Sequence, residues 1–151
     1  MLKELLEKNR VEFYDSFTCW QDAIHGCCHA LVRDGTVTED YAEAIIDNVL
    51  QYGTYIVIDE DLAIPHTMLK AHGVNGNGIC FAKVREPVEF EPGNPEKNAR
   101  LIFTLAACDR DEHYVNMRKL GKMLLNPEVL KGLKEADSVQ DVQALSLQLG
   151  I

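Results

Sequence analysis

The sequence predicts an α/β fold in which a central mixed β-sheet is sandwiched by helices. Apolar residues recur at helical spacing in the first third of the chain and again in the last third. Short β-branched or apolar runs separate these two parts. With 151 residues, of which 46% are hydrophobic, the chain is long enough to bury a substantial core. We therefore expect one domain spanning residues 1–151.

The N-terminal third predicts three helices and one strand. Leu2–Lys8 has the pattern of a short amphipathic helix, and Val11–Tyr14 that of a strand. Thr18–Gln21 has the form of a capping box, which predicts a helix that runs to Asp34 and Gly35. A further helix is expected from about Thr38, with acidic residues in its first turn, to Gly53.

Four short strands are predicted in the middle of the chain and three helices at its C-terminal end. Loop-forming residues at Glu91–Pro95 separate the last two strands. The predicted strands are Tyr55–Ile58, Leu62–Ile64, Gly78–Val84 and Arg100–Ala107, and the predicted helices are Glu112–Leu125, Glu128–Glu135 and Val139–Leu149.

Composition argues against several functional classes. The formal net charge of −9 is unfavourable for binding the phosphate backbone of a nucleic acid. None of the five cysteines forms a C-x-x-C pair, so neither a disulfide framework nor a cysteine-rich zinc site is indicated. The longest apolar runs, such as Leu101–Cys108, are too short to span a bilayer, and the N-terminus lacks the pattern of a signal peptide. We expect a cytoplasmic protein with no metal and no cofactor.

His66 is the principal candidate site residue. It follows an apolar strand and Pro65, which lacks a backbone N–H and therefore ends strand pairing at a defined place. A histidine at the exit of a strand is accessible to a partner. Neutral imidazole is a good nucleophile near pH 7, which suits reversible phosphoryl transfer. From position alone, a half-buried histidine with an ordinary hydrogen bond is the more frequent case.

His113 is the second candidate. It falls in the first turn of a predicted helix and shares a face with Met117, Leu120 and Leu124, so we expect it to point inward. The helix N-terminus favours a neutral imidazole and attracts anions. A first-turn histidine that is hydrogen-bonded to Asp109 or Asp111 is the alternative.

The motifs around these histidines resemble those of a known family. The segments are Tyr55–Thr67 with its A-I-P-H sequence, Gly78–Val84, Glu86–Phe90, and Leu101–Ala107 followed by His113. Together they resemble the mannitol/fructose superfamily of enzyme IIA in the bacterial sugar phosphotransferase system, over nearly the whole chain.

The resemblance implies a fold, a site and partners. The fold is the mannitol-type mixed sheet between helices, and His66 occupies the position of the phosphorylated histidine, with His113 beside it. The phosphocarrier protein HPr would be the donor and a cognate enzyme IIB the acceptor, with the membrane component enzyme IIC served indirectly. Oligomeric state stays open, and a homodimer is one alternative.

The chain departs from the mannitol and fructose branches at two places. It has no arginine between Arg33 and Arg85, where those branches carry one before the active strand, and Thr67 replaces the glycine that usually follows the histidine. Both features resemble the ascorbate-type branch. Lys70 and Arg110 are candidates for the missing positive charge, although solvated surface residues are the simpler interpretation for both.

Two other functions remain open at this stage. One is a regulatory protein of the same fold, in which phosphorylation of His66 controls binding to a target. The other is a small-molecule hydrolase that uses His66 and His113 with Asp59 or Asp61 as acid–base groups. His25 and His29 share a helix face, but they lack a third ligand for zinc and are interpreted as solvated.

Overall fold

The computed structural model describes the whole chain, Met1–Ile151, as six α-helices, five strands and one short 3-10 helix. The strands are β1 (Val11–Tyr14), β2 (Val57–Asp59), β3 (Asp61–Ala63), β4 (Gly78–Glu89) and β5 (Asn98–Ala106), with the 3-10 helix at Pro95–Lys97. The helices are α1 (Leu2–Glu7), α2 (Trp20–Arg33), α3 (Glu39–Tyr52), α4 (Arg110–Leu124), α5 (Pro127–Glu135) and α6 (Val139–Leu149).

All five strands form one mixed sheet in the order β1-β4-β5-β3-β2. The pairs β1/β4 and β3/β5 are parallel, whereas β4/β5 and β2/β3 are antiparallel. Because β3 and β5 run the same way and β4 runs against them, the C-terminal ends of β3 and β5 meet the start of β4. We call this border of the sheet the His66 edge.

Helices cover both faces of the sheet, as the apolar patterns predict. One core of 23 buried residues lies between the sheet and helices α2 and α3. The other, of 16 buried residues, lies between the sheet and helices α1, α4, α5 and α6. Alternate residues of β5 point to opposite faces, so Leu101, Phe103 and Leu105 enter the second core while Ile102 and Ala106 enter the first. The predicted fold class is confirmed.

Two local predictions are wrong. The Thr18 side chain forms no cap, since α2 begins at Trp20 with Cys19 at the N-cap position and no side-chain cap bond. Met117 is 38% exposed and does not join the inward face of α4, whose buried residues are Leu120, as predicted, and Met123.

None of the helices has the length and the apolar composition that a membrane span requires.

Candidate functional site

His66 stands at the point where strand pairing stops. The chain beyond β3 stays paired through Ile64, whose N–H donates to the Ile56 carbonyl at 2.8 Å, and through Pro65, whose carbonyl accepts from the Leu105 N–H at 3.0 Å. Pro65 has no N–H to continue the ladder. His66 is the first residue past these fixed points, and its side chain is half-buried.

A short contact to the backbone defines the tautomer of His66. Its Nδ1 lies 2.6 Å from the carbonyl oxygen of Ile64. A carbonyl oxygen only accepts hydrogen bonds, so Nδ1 must carry the proton. In the neutral ring the lone pair is therefore on Nε2, which is the atom that can attack an electrophile.

Tyr55 holds both the backbone and the ring of His66. Its hydroxyl donates to the His66 carbonyl at 2.5 Å and accepts from the Asn48 side-chain amide at 2.8 Å. The two rings meet edge to face, with centroids 5.3 Å apart and planes at 86°. Together with the bond from Nδ1 to the Ile64 carbonyl, these contacts restrict the imidazole to one orientation.

Tyr41 joins the chain after His66 to the end of β5. Its hydroxyl donates to the Leu105 carbonyl at 2.5 Å and lies 3.4 Å from the N–H of Thr67. Burial raises the pKa of Tyr41 well above the ordinary value of a phenol, so the hydroxyl stays protonated and remains a donor. The backbone on both sides of His66 is thus tied to rigid elements.

His113 lies in the first turn of α4, which Asp109 caps by accepting from the Glu112 N–H at 2.8 Å. The His113 side chain is half-buried, and its Nδ1 is fully buried with no hydrogen-bond partner. The alternative of an imidazole bonded to Asp109 or Asp111 is therefore wrong. A buried polar atom with no partner is costly in a folded protein.

Both candidate histidines are anchored to the turn Ala107–Asp109, which connects β5 to α4. The loop after His66 returns to this turn, where the Lys70 N–H donates to the Ala107 carbonyl at 2.9 Å. Since β3 and β5 are parallel, their C-terminal ends place His66 and the start of α4 at the same edge of the sheet.

Positive charge and backbone amides are both available at this edge. Lys70 and Arg110 are exposed, and neither side chain pairs with a carboxylate. The backbone N–H groups of Met68 and Leu69 have no acceptor within the protein. Successive free amides with a nearby cation suit an anion.

The carboxylates proposed for a hydrolase lie elsewhere. Asp61 begins β3 and forms an ion pair with Arg100, whose Nε and Nη2 both donate to Asp61 Oδ2, at 2.9 and 2.5 Å. Five residues of extended chain, about 16 Å, separate it from His66. Asp59 is exposed and accepts from the neighbouring Glu60 N–H. Neither carboxylate is placed to exchange a proton with His66. The hydrolase alternative is therefore wrong in using Asp59 or Asp61 as its acid–base group.

The remaining histidines make separate surface contacts. His25 lies 2.6 Å from Glu43, His29 lies 3.1 Å from Glu12, and the exposed His72 lies 3.2 Å from Asp40. His25 and His29 thus contact different carboxylates rather than sharing a ligand.

Comparison with known proteins assigns the chain to a family. Residues 4–148 match the family model described as phosphoenolpyruvate-dependent sugar phosphotransferase system, EIIA 2. The chain belongs to this enzyme IIA family. It is therefore a component of a sugar phosphotransferase system with a phosphoryl-transferring role, as the resemblance predicted.

Relatives of this enzyme IIA include mannitol-specific and ascorbate-specific components. The mannitol-specific cryptic phosphotransferase enzyme IIA component of Escherichia coli (strain K12) is 28% identical over 137 residues, covering 91% of each protein. The ascorbate-specific EIIA component of Salmonella choleraesuis (strain SC-B67) is 33% identical over 111 residues, covering 72% of this chain and 70% of that protein.

A solved complex has the same fold. The mannitol enzyme IIA of Escherichia coli, determined together with phosphorylated mannitol enzyme IIB, matches with a TM-score of 0.74 and 25% identity, covering 92% of this chain and 94% of that one.

Sequence reasoning missed the residues that hold the site. Tyr55, Asn48 and Tyr41 act through hydrogen bonds to backbone atoms distant in sequence, and such bonds depend on strand register and helix placement. A polar aromatic residue in an otherwise apolar run, as at Tyr55, is the one signal that could have drawn attention to them.

Proposed function

We propose that this enzyme IIA accepts a phosphoryl group from phosphorylated HPr on His66 and passes it to a cognate enzyme IIB. The observation that carries the proposal is the contact between His66 Nδ1 and the Ile64 carbonyl. It leaves Nε2 as the nucleophile of a half-buried ring at the open end of a strand, in a chain that belongs to the enzyme IIA family.

The transfer is an in-line displacement at phosphorus. The Nε2 lone pair of His66 forms the new N–P bond while the N–P bond to the donor's histidine breaks and its electron pair returns to that imidazole. The proton on Nδ1 stays in place, held by the Ile64 carbonyl. Transfer to enzyme IIB reverses these roles, with His66 as the leaving group. Positioning and electrostatics supply most of the catalysis in such a reaction.

His113 has the role of stabilising the transferring group. The half-buried imidazole lies in the first turn of α4 and supplies one donor to a phosphoryl oxygen, and the free amides of Met68 and Leu69 supply further donors. Lys70 and Arg110 are the cations that replace the arginine of related branches. A donor set of moderate strength suits a relay, since a group bound too tightly would not be passed on.

Docking to the carriers uses exposed apolar residues close to both histidines. Met68 and Leu69, which follow His66, are 69% and 39% exposed, and Tyr114, which follows His113, is 63% exposed. Large apolar side chains beside a functional group are typical of protein interfaces.

The enzyme IIB that fits best is of the ascorbate type. Thr67 after the histidine, the absence of arginine from residue 34 to residue 84, and the 33% identity to an ascorbate-specific component support this choice. A direct comparison would incubate the phosphorylated protein with ascorbate-type and mannitol-type enzyme IIB. Faster loss of phosphate to the ascorbate-type protein is expected, and equal or reversed rates would contradict this specificity.

The relay itself is tested by incubating the protein with phosphoenolpyruvate, enzyme I and HPr, followed by intact-mass measurement. We expect one acid-labile phosphoryl group that is absent from His66→Ala. His25→Ala and His72→Ala serve as matched controls, since both remove surface histidines, and they should be labelled fully. Undiminished labelling of His66→Ala would refute the site. Labelling without transfer to any enzyme IIB would favour the regulatory alternative.

A further inference from the structure

Asn77 joins the loop that follows His66 to the helix that carries His113. It precedes β4, and its side-chain oxygen accepts the backbone N–H groups of Cys108 and Asp109 at 2.8 and 3.1 Å. Its side-chain amide donates to Glu112 Oε2 at 2.9 Å. The orientation of the carboxamide is fixed by these partners, because backbone N–H groups require its oxygen and a carboxylate requires its NH₂.

This arrangement modifies the usual N-terminal cap of a helix. In a capping box, the acidic residue at the third helical position accepts the backbone N–H of the N-cap residue. In α4 the N-cap is Asp109 and the third position is Glu112, but the Asp109 N–H donates to Asn77 and Glu112 accepts from Asn77. A residue from a different part of the chain therefore completes the cap.

The position of α4 consequently depends on Asn77. The residue after Glu112 is His113, whose buried Nδ1 has no partner of its own, so no side-chain hydrogen bond holds that nitrogen in place. The position of this nitrogen therefore follows from the position of the first turn of α4. Apart from residues of α4 and of the Ala107–Asp109 turn, Asn77 supplies the side chain that hydrogen-bonds to this first turn.

The same side chain also joins the loop that follows His66 to the turn that precedes α4. The loop after His66 contacts the Ala107–Asp109 turn at both ends, through the Lys70 N–H near its start and through Asn77 at its finish. We propose that Asn77 is a positioning residue that sets the location of His113 relative to His66 through the first turn of α4. This inference rests on the proposed function and deepens it.

A double-mutant comparison tests whether Asn77 acts through His113. The measured quantity is kcat/KM for phosphoryl transfer from phosphorylated HPr. In Asn77→Ala, displacement of a catalytic group by a fraction of an ångström should lower kcat/KM about tenfold. In His113→Ala, loss of a stabilising donor should lower kcat/KM about a hundredfold. If Asn77 acts through His113, the double variant should transfer at the rate of His113→Ala. A further tenfold loss in the double variant, or an unchanged rate in Asn77→Ala, would overturn the inference.

Asn75→Ala is the matched control. Asn75 lies in the same loop and donates to the Gly35 carbonyl at 3.2 Å, away from α4. Its removal costs one exposed loop hydrogen bond and should leave kcat/KM and the NMR signals of the His113 imidazole unchanged. Asn77→Ala should shift those signals.

Reversal of the hydrogen bond gives a second test that does not depend on the folding of Asn77→Ala. Asn77→Asp keeps an oxygen for the two backbone N–H groups but turns a carboxylate towards Glu112, and like charges repel. Transfer should be slowed. The pair Asn77→Asp with Glu112→Gln restores a donor and an acceptor in exchanged positions, so transfer should recover towards the parent rate. Failure to recover would contradict the positioning role.

The labelling of His66→Ala separates the two hypotheses. If that variant is still labelled, the proposed function fails. If its labelling is lost while Asn77→Ala and His113→Ala act independently, only the inference about Asn77 fails.

Discussion

The hydroxyl of Tyr55 donates to the backbone carbonyl of His66 at 2.5 Å, and the ring of Tyr55 meets the imidazole of His66 edge to face. One side chain thus holds both the main chain and the ring of the proposed nucleophile. The contributions of the hydrogen bond and of the ring contact can be measured separately by two substitutions of Tyr55.

Tyr55→Phe keeps the ring contact and removes the hydrogen bond, whereas Tyr55→Ala removes both. We expect phosphoryl transfer to fall severalfold in Tyr55→Phe and about a hundredfold in Tyr55→Ala, because His66 loses its fixed orientation. Single-turnover transfer from phosphorylated HPr measures both. Tyr52→Phe is the control, since Tyr52 is 68% exposed and its hydroxyl forms no hydrogen bond in the structure. Equal rates for Tyr55→Ala and the parent would contradict the positioning role.

The loop after His66 should be sensitive to a methyl group at Gly73. A Cβ there would lie 2.5 Å from the backbone nitrogen of Tyr41 and 2.9 Å from the Thr38 hydroxyl, and Gly73 has φ +90°. Gly73→Ala therefore combines backbone strain with overlap, which together cost about 3 kcal/mol of unfolding free energy.

Gly93→Ala isolates the strain in this comparison. Gly93 has φ +88°, but nothing lies within 4 Å of the added methyl group. The free energy of unfolding of this variant should fall by only about 1 kcal/mol. Urea denaturation of both variants gives the difference, and equal losses would show that the packing of the loop against α3 is not as tight as described.

Asp34 should contribute stability that disappears in acid. Burial opposes its ionisation, but hydrogen bonds from Thr36 and Arg10 outweigh this effect and hold the pKa of Asp34 below its usual 3.8. A carboxyl group whose pKa is lower in the folded state stabilises the protein fully above the unfolded pKa and loses this effect as pH falls through the folded pKa.

Asp34→Asn is therefore expected to be less stable than the parent at pH 7, by about 1 kcal/mol or less because the pair is partly exposed. The difference should shrink below about pH 4. Urea denaturation across pH 2–7 measures it. Asp47→Asn is a suitable control, since Asp47 is exposed and forms no ion pair in the structure. A difference at Asp34 that is constant with pH would contradict the assignment.

Local pattern was sufficient for most of the architecture. The predicted strand Val11–Tyr14 is β1, the helix expected from Thr38 to Gly53 is α3, and Pro65 ends strand pairing immediately before His66. These features depend on periodicity, capping residues and the missing N–H of proline, all of which are properties of short segments.

Features that depend on packing between distant segments could not be predicted. The helix α2 begins at Trp20, one residue later than the Thr18 motif indicates, and Trp20 packs against the first core. The pattern places Met117 on the inward face of α4 because two stripes, spaced at three and four residues, are both compatible with the sequence. The role of Asn77 requires β4 and α4 to be adjacent, which only the sheet topology establishes.

The central claim is that the phosphoryl group is carried on Nε2 of His66. NMR of the ¹⁵N-labelled, phosphorylated protein tests it directly, because one-bond ³¹P–¹⁵N coupling identifies both the histidine and the ring nitrogen that is modified. We predict coupling to Nε2 of His66, with the proton retained on Nδ1. Coupling to Nδ1, or to any other histidine, would contradict the account.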